Sequence, residues 1–255
     1  MFPPTFRNNR WIALIVGNSR LHWGEFAGDM LRRAWDTPHR DRSWEKGETA
    51  TGEGLDGTTP LWIASVVPEQ LQFWQTYPQI KIIDLSCIPL TGVYPTLGID
   101  RALAVWGAYH RWGGPVLVVD GGTALTFTGI DDRPELVGGA ILPGLGSQFK
   151  SLARNTANLP QLAANERRSL PPRWALDTPS AIQSGVLYST VAGVKDFIEA
   201  WWRDFPGSRA ILTGGDCQIL ANALMFQFPD IARTTIVDEH LIFWGMQSIV
   251  WENSP

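Results

Sequence analysis

The sequence predicts an α/β protein built from two related lobes, each with a mixed sheet and flanking helices. Three observations point there. The apolar run Trp11–Val16 ends at Gly17-Asn18 and is followed by a second strand-like segment, Arg20–Phe26. The same plan returns at Pro115–Val119, which runs into Asp120-Gly121-Gly122-Thr123 and then Ala124–Ile130. After each pair, strand-like and helix-like segments alternate, the pattern of sheets covered by helices. Setting Gly17-Asn18 against Gly122-Thr123 points to an internal duplication, with lobes at residues 1–113 and 114–255.

In the first lobe, Trp11–Val16 is a short apolar run bounded by turn residues, which reads as a buried strand. Residues 37–60 are polar and rich in Gly and Thr, as expected of a loop or weak hairpin. Leu61–Val67 predicts a strand, and Pro68–Tyr77 a short helix able to start on its proline. Ile80–Leu85 predicts another strand. A helix over Ile99–Trp112 takes its apolar side from Leu103, Val105, Trp106 and Tyr109. In the second lobe, Glu135–Leu142 gives a third strand, followed by helices over 145–154 and 178–205. Ala210–Leu212 is a strand ending in Thr213-Gly214-Gly215-Asp216, and helices close the chain at Cys217–Phe226 and Glu239–Trp251.

Composition narrows the function classes. Of 255 residues 44% are hydrophobic and 18% charged, enough to bury a sizeable core and too apolar for a disordered chain. With 21 basic against 25 acidic residues and a net charge of −4, the chain lacks the basic excess of a nucleic-acid binder. Cys87 and Cys217 form no CxxC pair, and His22, His39, His110 and His240 are scattered without HxxxH spacing. Neither a disulfide scaffold nor a zinc knuckle is expected. No stretch reaches the ~18 apolar residues of a membrane span, and MFPPTFRNNR lacks the basic start and apolar run of a signal peptide. The expectation is a cytoplasmic protein without membrane or nucleic-acid partners. Two oddities stand out: 13 Trp, spread from Trp11 to Trp251 as packing residues would be, and four Lys against 17 Arg.

Two segments could carry chemistry. Gly98-Ile99-Asp100-Arg101 opens a helix. Asp100 there either complements the helix dipole or acts as a carboxylate base beside an arginine able to fork onto an anionic substrate. Asp120-Gly121-Gly122-Thr123 is either an ordinary hairpin turn or a phosphate-approaching turn, with a carboxylate for a cation and a hydroxyl donor. Gly17-Asn18-Ser19 at the matching place in the first half favours the second reading, because two such turns make a phosphate clamp. A Walker A loop is absent, since the sequence contains no Gly-Lys pair.

Short motifs in order along nearly the whole chain carry a resemblance. They are VGNSRLHWGEF at 16–26, ASVVP at 64–68, LGIDR at 97–101, VVDGGTALT at 118–126 and GGAILPG at 138–144. LPQL at 159–162, DTPSAIQSG at 177–185 and LTGGD at 212–216 complete the set. The sequence resembles the type III pantothenate kinases, members of the actin-like, sugar-kinase and Hsp70-type ATPase superfamily, whose lobes are ribonuclease-H-like. The resemblance implies ATP-dependent phosphorylation of pantothenate to 4′-phosphopantothenate, the first step of coenzyme A biosynthesis. By it, Asp100 is the general base, and Tyr94, Gly98, Ile99, Arg101 and Thr178 bind pantothenate. Gly17, Asn18, Ser19 and Arg20 hold the ATP phosphates from one side and Thr123 from the other. Asp120 takes a monovalent cation, K⁺ or NH4⁺; Mg²⁺ accompanies the nucleotide, and the enzyme is a homodimer.

The sequence departs from the family in its first motif, Asp-x-Gly-Asn-Thr with a lysine three residues later. Ile15 stands at the Asp position, Ser19 at the Thr and His22 at the Lys. An apolar Ile15 cannot hold Mg²⁺ through water, and a neutral histidine is a weaker phosphate partner than lysine. A second reading therefore stays open here, a kinase-like nucleotide-binding or regulatory protein with impaired catalysis. A third is another small-molecule or sugar kinase of the superfamily, against which LGIDR and DTPSAIQSG speak.

Overall fold

The computed structural model describes residues 10–45, 55–162 and 170–252. The chain divides into two compact units. The first comprises the described residues up to Leu90, Tyr94–His110 and those from Ile242 onward; the second comprises Thr91–Val93 and Arg111–Leu241. The middle part of the loop expected over 37–60 lies outside the described residues.

The first unit is built on β1 (Arg10–Val16), β2 (Leu21–Ala27), β3 (Met30–Thr37), β4 (Leu61–Ser65) and β5 (Ile80–Ile82), in the order β3-β2-β1-β4-β5. β2 runs antiparallel to both β1 and β3, whereas β4 is parallel to both β1 and β5. Every residue of β1 from Trp11 to Val16 is buried. Both faces of this central strand are covered, which is why it reads as a continuous apolar run rather than an alternation. On one face Ile12, Leu14 and Val16 join Trp23, Ile63 and Trp74 in a core, where Trp23 stacks on Trp35 and meets Trp74 edge-on. On the other face Trp11 stacks on Phe26 with ring centroids 4.1 Å apart.

Local hydrogen bonds set the ends that hydropathy left loose. β4 stops at Ser65 because its hydroxyl accepts from the Val67 N–H and donates to the Val67 carbonyl, turning the chain into α1 (Pro68–Leu71). A 3₁₀ turn over Gln72–Trp74 continues that helix. β5 stops at Ile82, and Asp84 then caps a 3₁₀ turn over Leu85–Cys87 by accepting from the Ser86 N–H. α2 spans Ile99–Trp112, as the sequence predicts, and buries most of its first ten residues. β3 is the strand the sequence did not announce. It is an edge strand carrying Arg32, Arg33 and Asp36, the charged composition that protects an edge from pairing further.

The second unit repeats the plan with β6 (Val116–Gly121), β7 (Ala124–Ile130), β8 (Leu136–Pro143), β9 (Arg209–Thr213) and β10 (Ile236–Val237), ordered β10-β9-β6-β7-β8. Pairing senses match those of the first sheet: antiparallel for β6–β7 and β7–β8, parallel for β6–β9 and β9–β10. The two sheets therefore share one ribonuclease-H-like topology, with β6 in the place of β1. Helices α3 (Leu145–Asn155), α4 (Thr178–Asp204), α5 (Cys217–Gln227) and α6 (Pro229–Thr234) complete the unit. α4 starts where Asp177 accepts from the Ser180 N–H at 2.9 Å, with Pro179 in its first turn. α6 and β10, also unannounced, are six and two residues long, too short to leave a periodic signal.

The last helix, α7 (Leu241–Glu252), falls in the lobe expected over 114–255 but packs in the first unit. Its Trp244 ring meets Phe26 edge-on, and Gln247 donates to the Asp29 carbonyl. The cause is the uncovered apolar face of β1 and β2, which an apolar helix can bury. Among the described residues no helix is long and apolar enough to cross a membrane.

Candidate active site

In the first unit, the turn after β1 exposes Asn18, Ser19 and Arg20. The Gly17 N–H donates to the Arg20 carbonyl at 3.0 Å and closes the turn. Behind it, the His39 ring lies 2.8 Å from the Gly17 carbonyl. Arg20 reaches back to Asp36 of β3, donating from Nη1 to Oδ2 at 3.0 Å, and the same carboxylate takes the His22 Nδ1 on Oδ1 at 2.7 Å. Ile15, two residues before this turn, is 2% exposed, packed inside the unit.

The first turn of α2 gathers Gly98, Ile99, Asp100 and Arg101. Arg101 is 7% exposed, a buried cation whose Nη1 donates to the Tyr94 hydroxyl at 3.0 Å. Asp100 accepts from the Arg101 backbone N–H at 2.8 Å and lies against Gly98, whose place leaves no room for a side chain beside the carboxylate. Burial raises the Asp100 carboxyl above its usual range, more than the Arg101 N–H and the Arg101 and His22 charges lower it. A carboxylate with a raised pKa is a better proton acceptor than an ordinary surface one. The unit thus brings Tyr94, Gly98, Ile99, Asp100 and Arg101 together, with a base and a fork-shaped cation side by side.

In the second unit, Asp120 is the penultimate residue of β6 and Thr123 sits in the β6–β7 turn. That turn is braced from two sides. The Thr123 carbonyl accepts from the Ser147 hydroxyl at 2.6 Å and from the Gly144 N–H at 3.1 Å, both at the start of α3. The Gly121 carbonyl accepts from the Asp216 N–H at 2.8 Å, at the start of α5. Gly214 has φ +84, and a side chain there would run into Asp120 and the Gly121 backbone, so the β9–α5 turn can approach the Asp120 carboxylate only with glycine. Asp120 with nearby carbonyls offers hard oxygen donors of the kind an alkali cation takes. Among the described residues no cluster of three or more His, Cys, Asp or Glu could hold a metal ion. Thr178 is exposed in the first turn of α4 and lines a shallow groove with Gln148, Leu152 and Ile182.

The type III pantothenate kinase model matches residues 11–200. The chain belongs to that family. Type III pantothenate kinases from Nostoc sp. and Synechocystis sp. are 49% and 46% identical to it, over 95% and 96% of this chain and 95% and 92% of theirs. The one from Gloeobacter violaceus is 41% identical over 92% of this chain and 96% of its own. Among solved structures, a Baf family protein from Campylobacter jejuni has a TM-score of 0.62 at 22% identity, covering 95% of this chain and 98% of that one. That likeness is one of fold.

For a type III pantothenate kinase, the sequence had singled out the residues of each turn but not their supports. Asp36 and Ser147 went unremarked, and His39 and Asp216 were given no role. GGAILPG and LTGGD carried the signal for Ser147 and Asp216, since both motifs end in the segments that brace the Asp120–Thr123 turn.

Proposed function

We propose that this chain transfers the γ-phosphoryl group of ATP to the hydroxyl of pantothenate, giving 4′-phosphopantothenate. The observation that carries the reading is the raised, half-buried carboxylate of Asp100 next to buried Arg101, in a chain 49% identical to a pantothenate kinase along its length. Asp100 takes the proton of the attacking hydroxyl. Arg101, held by Tyr94, binds the pantothenate carboxylate, for which a guanidinium is the natural partner. Gly98 and Ile99 shape that pocket in the first unit, and Thr178 is the pantothenate contact of the second. Phosphoryl transfer needs positioning and charge stabilisation more than covalent help. Gly17, Asn18, Ser19 and Arg20 hold the phosphates in the first unit and Thr123 in the second.

Mg²⁺ carried on ATP would neutralise phosphate charge during the transfer. Asp120 takes K⁺ or NH4⁺ with the help of backbone carbonyls. The enzyme works as a homodimer, a reading supported by the exposed Trp174 and Leu176, and resides in the cytoplasm. The intact Asp100–Arg101 pair speaks against a merely regulatory role.

Purified protein given pantothenate, ATP, Mg²⁺ and K⁺ yields 4′-phosphopantothenate if the reading holds. No turnover across cations and phosphate donors, in protein that binds ATP, overturns it. Omitting K⁺ tests the monovalent cation, and light scattering tests the dimer.

A further inference from the structure

The peptide that opens the turn after β1 is gripped from outside the turn. The Val16 carbonyl accepts from the Val66 N–H at 3.0 Å, and the Gly17 N–H donates to the Arg20 carbonyl at 3.0 Å. That leaves the Gly17 carbonyl, which lies 2.8 Å from Nε2 of His39. A carbonyl only accepts, so this ring nitrogen carries the hydrogen.

His39 is itself fixed on both sides along the chain. Before it, Thr37 ends β3 opposite Leu21, and its hydroxyl accepts from the Trp23 indole N–H at 2.9 Å. Pro38 has no N–H to carry the ladder further. After it, the side-chain amide of Gln70, on α1, clasps the Arg40 backbone. The Arg40 N–H donates to Oε1 at 3.1 Å, and Nε2 donates to the Arg40 carbonyl at 3.2 Å. The Arg40 guanidinium lies over the Trp74 ring, 5.0 Å from its centroid. β3 and α1 together thus deliver the imidazole to Gly17, all within the first unit.

A trans peptide is planar, with its C=O and N–H pointing in opposite directions. Turning the Gly17 carbonyl toward His39 therefore turns the Asn18 N–H away from it, and Asn18 is exposed. Glycine rotates more freely than any other residue, so this peptide needs an outside grip to keep one orientation. The opposite orientation would present a carbonyl oxygen to the phosphates in place of a donor. We propose that His39 is a positioning residue for phosphoryl transfer, its Nε2–H holding the Gly17–Asn18 peptide so that the Asn18 N–H faces the ATP phosphates. The proposal rests on the reading of Gly17–Arg20 as the phosphate loop. Gln70, by holding Arg40, sets His39 in place. Both side chains act through the peptide rather than on the nucleotide.

Steady-state kinetics of the full chain with Mg²⁺ test this, with ATP and pantothenate varied in turn. His39→Leu fills the site but donates nothing, and lowers kcat/KM for ATP about tenfold, the scale of one hydrogen bond. KM for pantothenate at saturating ATP is unchanged. His39→Gln, whose amide can donate from about the same place, recovers most of the loss. Gln70→Leu lowers kcat/KM for ATP a few-fold and reads the same bond without touching His39, should His39→Leu not fold. Added to His39→Leu it lowers the value no further, because both act through one contact. If His39→Gln is as impaired as His39→Leu, or KM for pantothenate rises as well, the histidine is merely structural and the proposal falls. If His39→Leu matches the wild type while Asn18→Ala weakens ATP use, the loop reading stands and His39 has no part in it. If neither variant weakens ATP use, the loop reading fails and this proposal with it.

Discussion

The Arg101 guanidinium donates to the Tyr94 hydroxyl at 3.0 Å across the turn that opens α2. A buried cation needs fixed partners, and Tyr94 supplies a neutral one that holds the guanidinium in place. Tyr94→Phe is expected to raise KM for pantothenate a few-fold, the scale of one hydrogen bond, with kcat little changed. Arg101→Ala is expected to raise it about 10- to 100-fold. Steady-state kinetics with pantothenate varied reads both.

Asp100→Asn removes the proton acceptor but keeps an oxygen for the Arg101 N–H. The expected loss in kcat is on the order of 10²–10⁴, with ATP affinity unchanged. In the wild type, kcat/KM for pantothenate falls as pH drops through the raised Asp100 pKa, so the acidic limb lies above the ordinary carboxylate range. A pH–rate profile shows it.

The same shift has a stability consequence of opposite sense. The folded carboxyl holds its proton to higher pH than the unfolded one, so its favourable contribution is complete below the unfolded pKa. It is lost as pH rises through the folded value. At neutral pH the charged Asp100 is a burden on the fold. Asp100→Asn is therefore expected to raise the midpoint of denaturant unfolding at pH 7 and not at pH 3.

Cys217 is buried, and burial, followed by the nearby Glu239 and Asp120 charges, pushes its thiol up to about 12. Cys87 is partly exposed. Iodoacetamide at pH 8 is expected to modify Cys87 alone in the native protein and both thiols in urea. Peptide mass spectrometry distinguishes the two.

Ile15 is 2% exposed in the covered face of β1. Placing the family aspartate there, as Ile15→Asp, is expected to cost about 2 kcal/mol or more, since it removes buried aliphatic surface and buries a polar group. Chemical denaturation without nucleotide measures this.

What the sequence disclosed follows the range of the forces involved. α2 and β7 appear with the bounds the sequence predicts, because helix periodicity and turn residues act locally. The turns at Gly17–Arg20, Gly98–Arg101 and Asp120–Thr123 were legible for the same reason. β3 was not, since an edge strand written MLRRAWDT is held by its pairing with β2 rather than by its own hydropathy. Asp36 went unseen with it, for its meaning depends on a register between strands. Of the 13 Trp, the buried Trp11, Trp23, Trp44, Trp62, Trp74, Trp106 and Trp201 explain the excess as packing.

The docking of α7 against Phe26 and Asp29 has a consequence for the order of assembly. A ribosome delivers β1–β5 early, yet the helix that seals their open face emerges only after the whole second sheet has been made. The first unit must wait, with Trp11 and Phe26 incompletely covered, while the second can already close on itself. In this protein the part synthesised first is the part finished last.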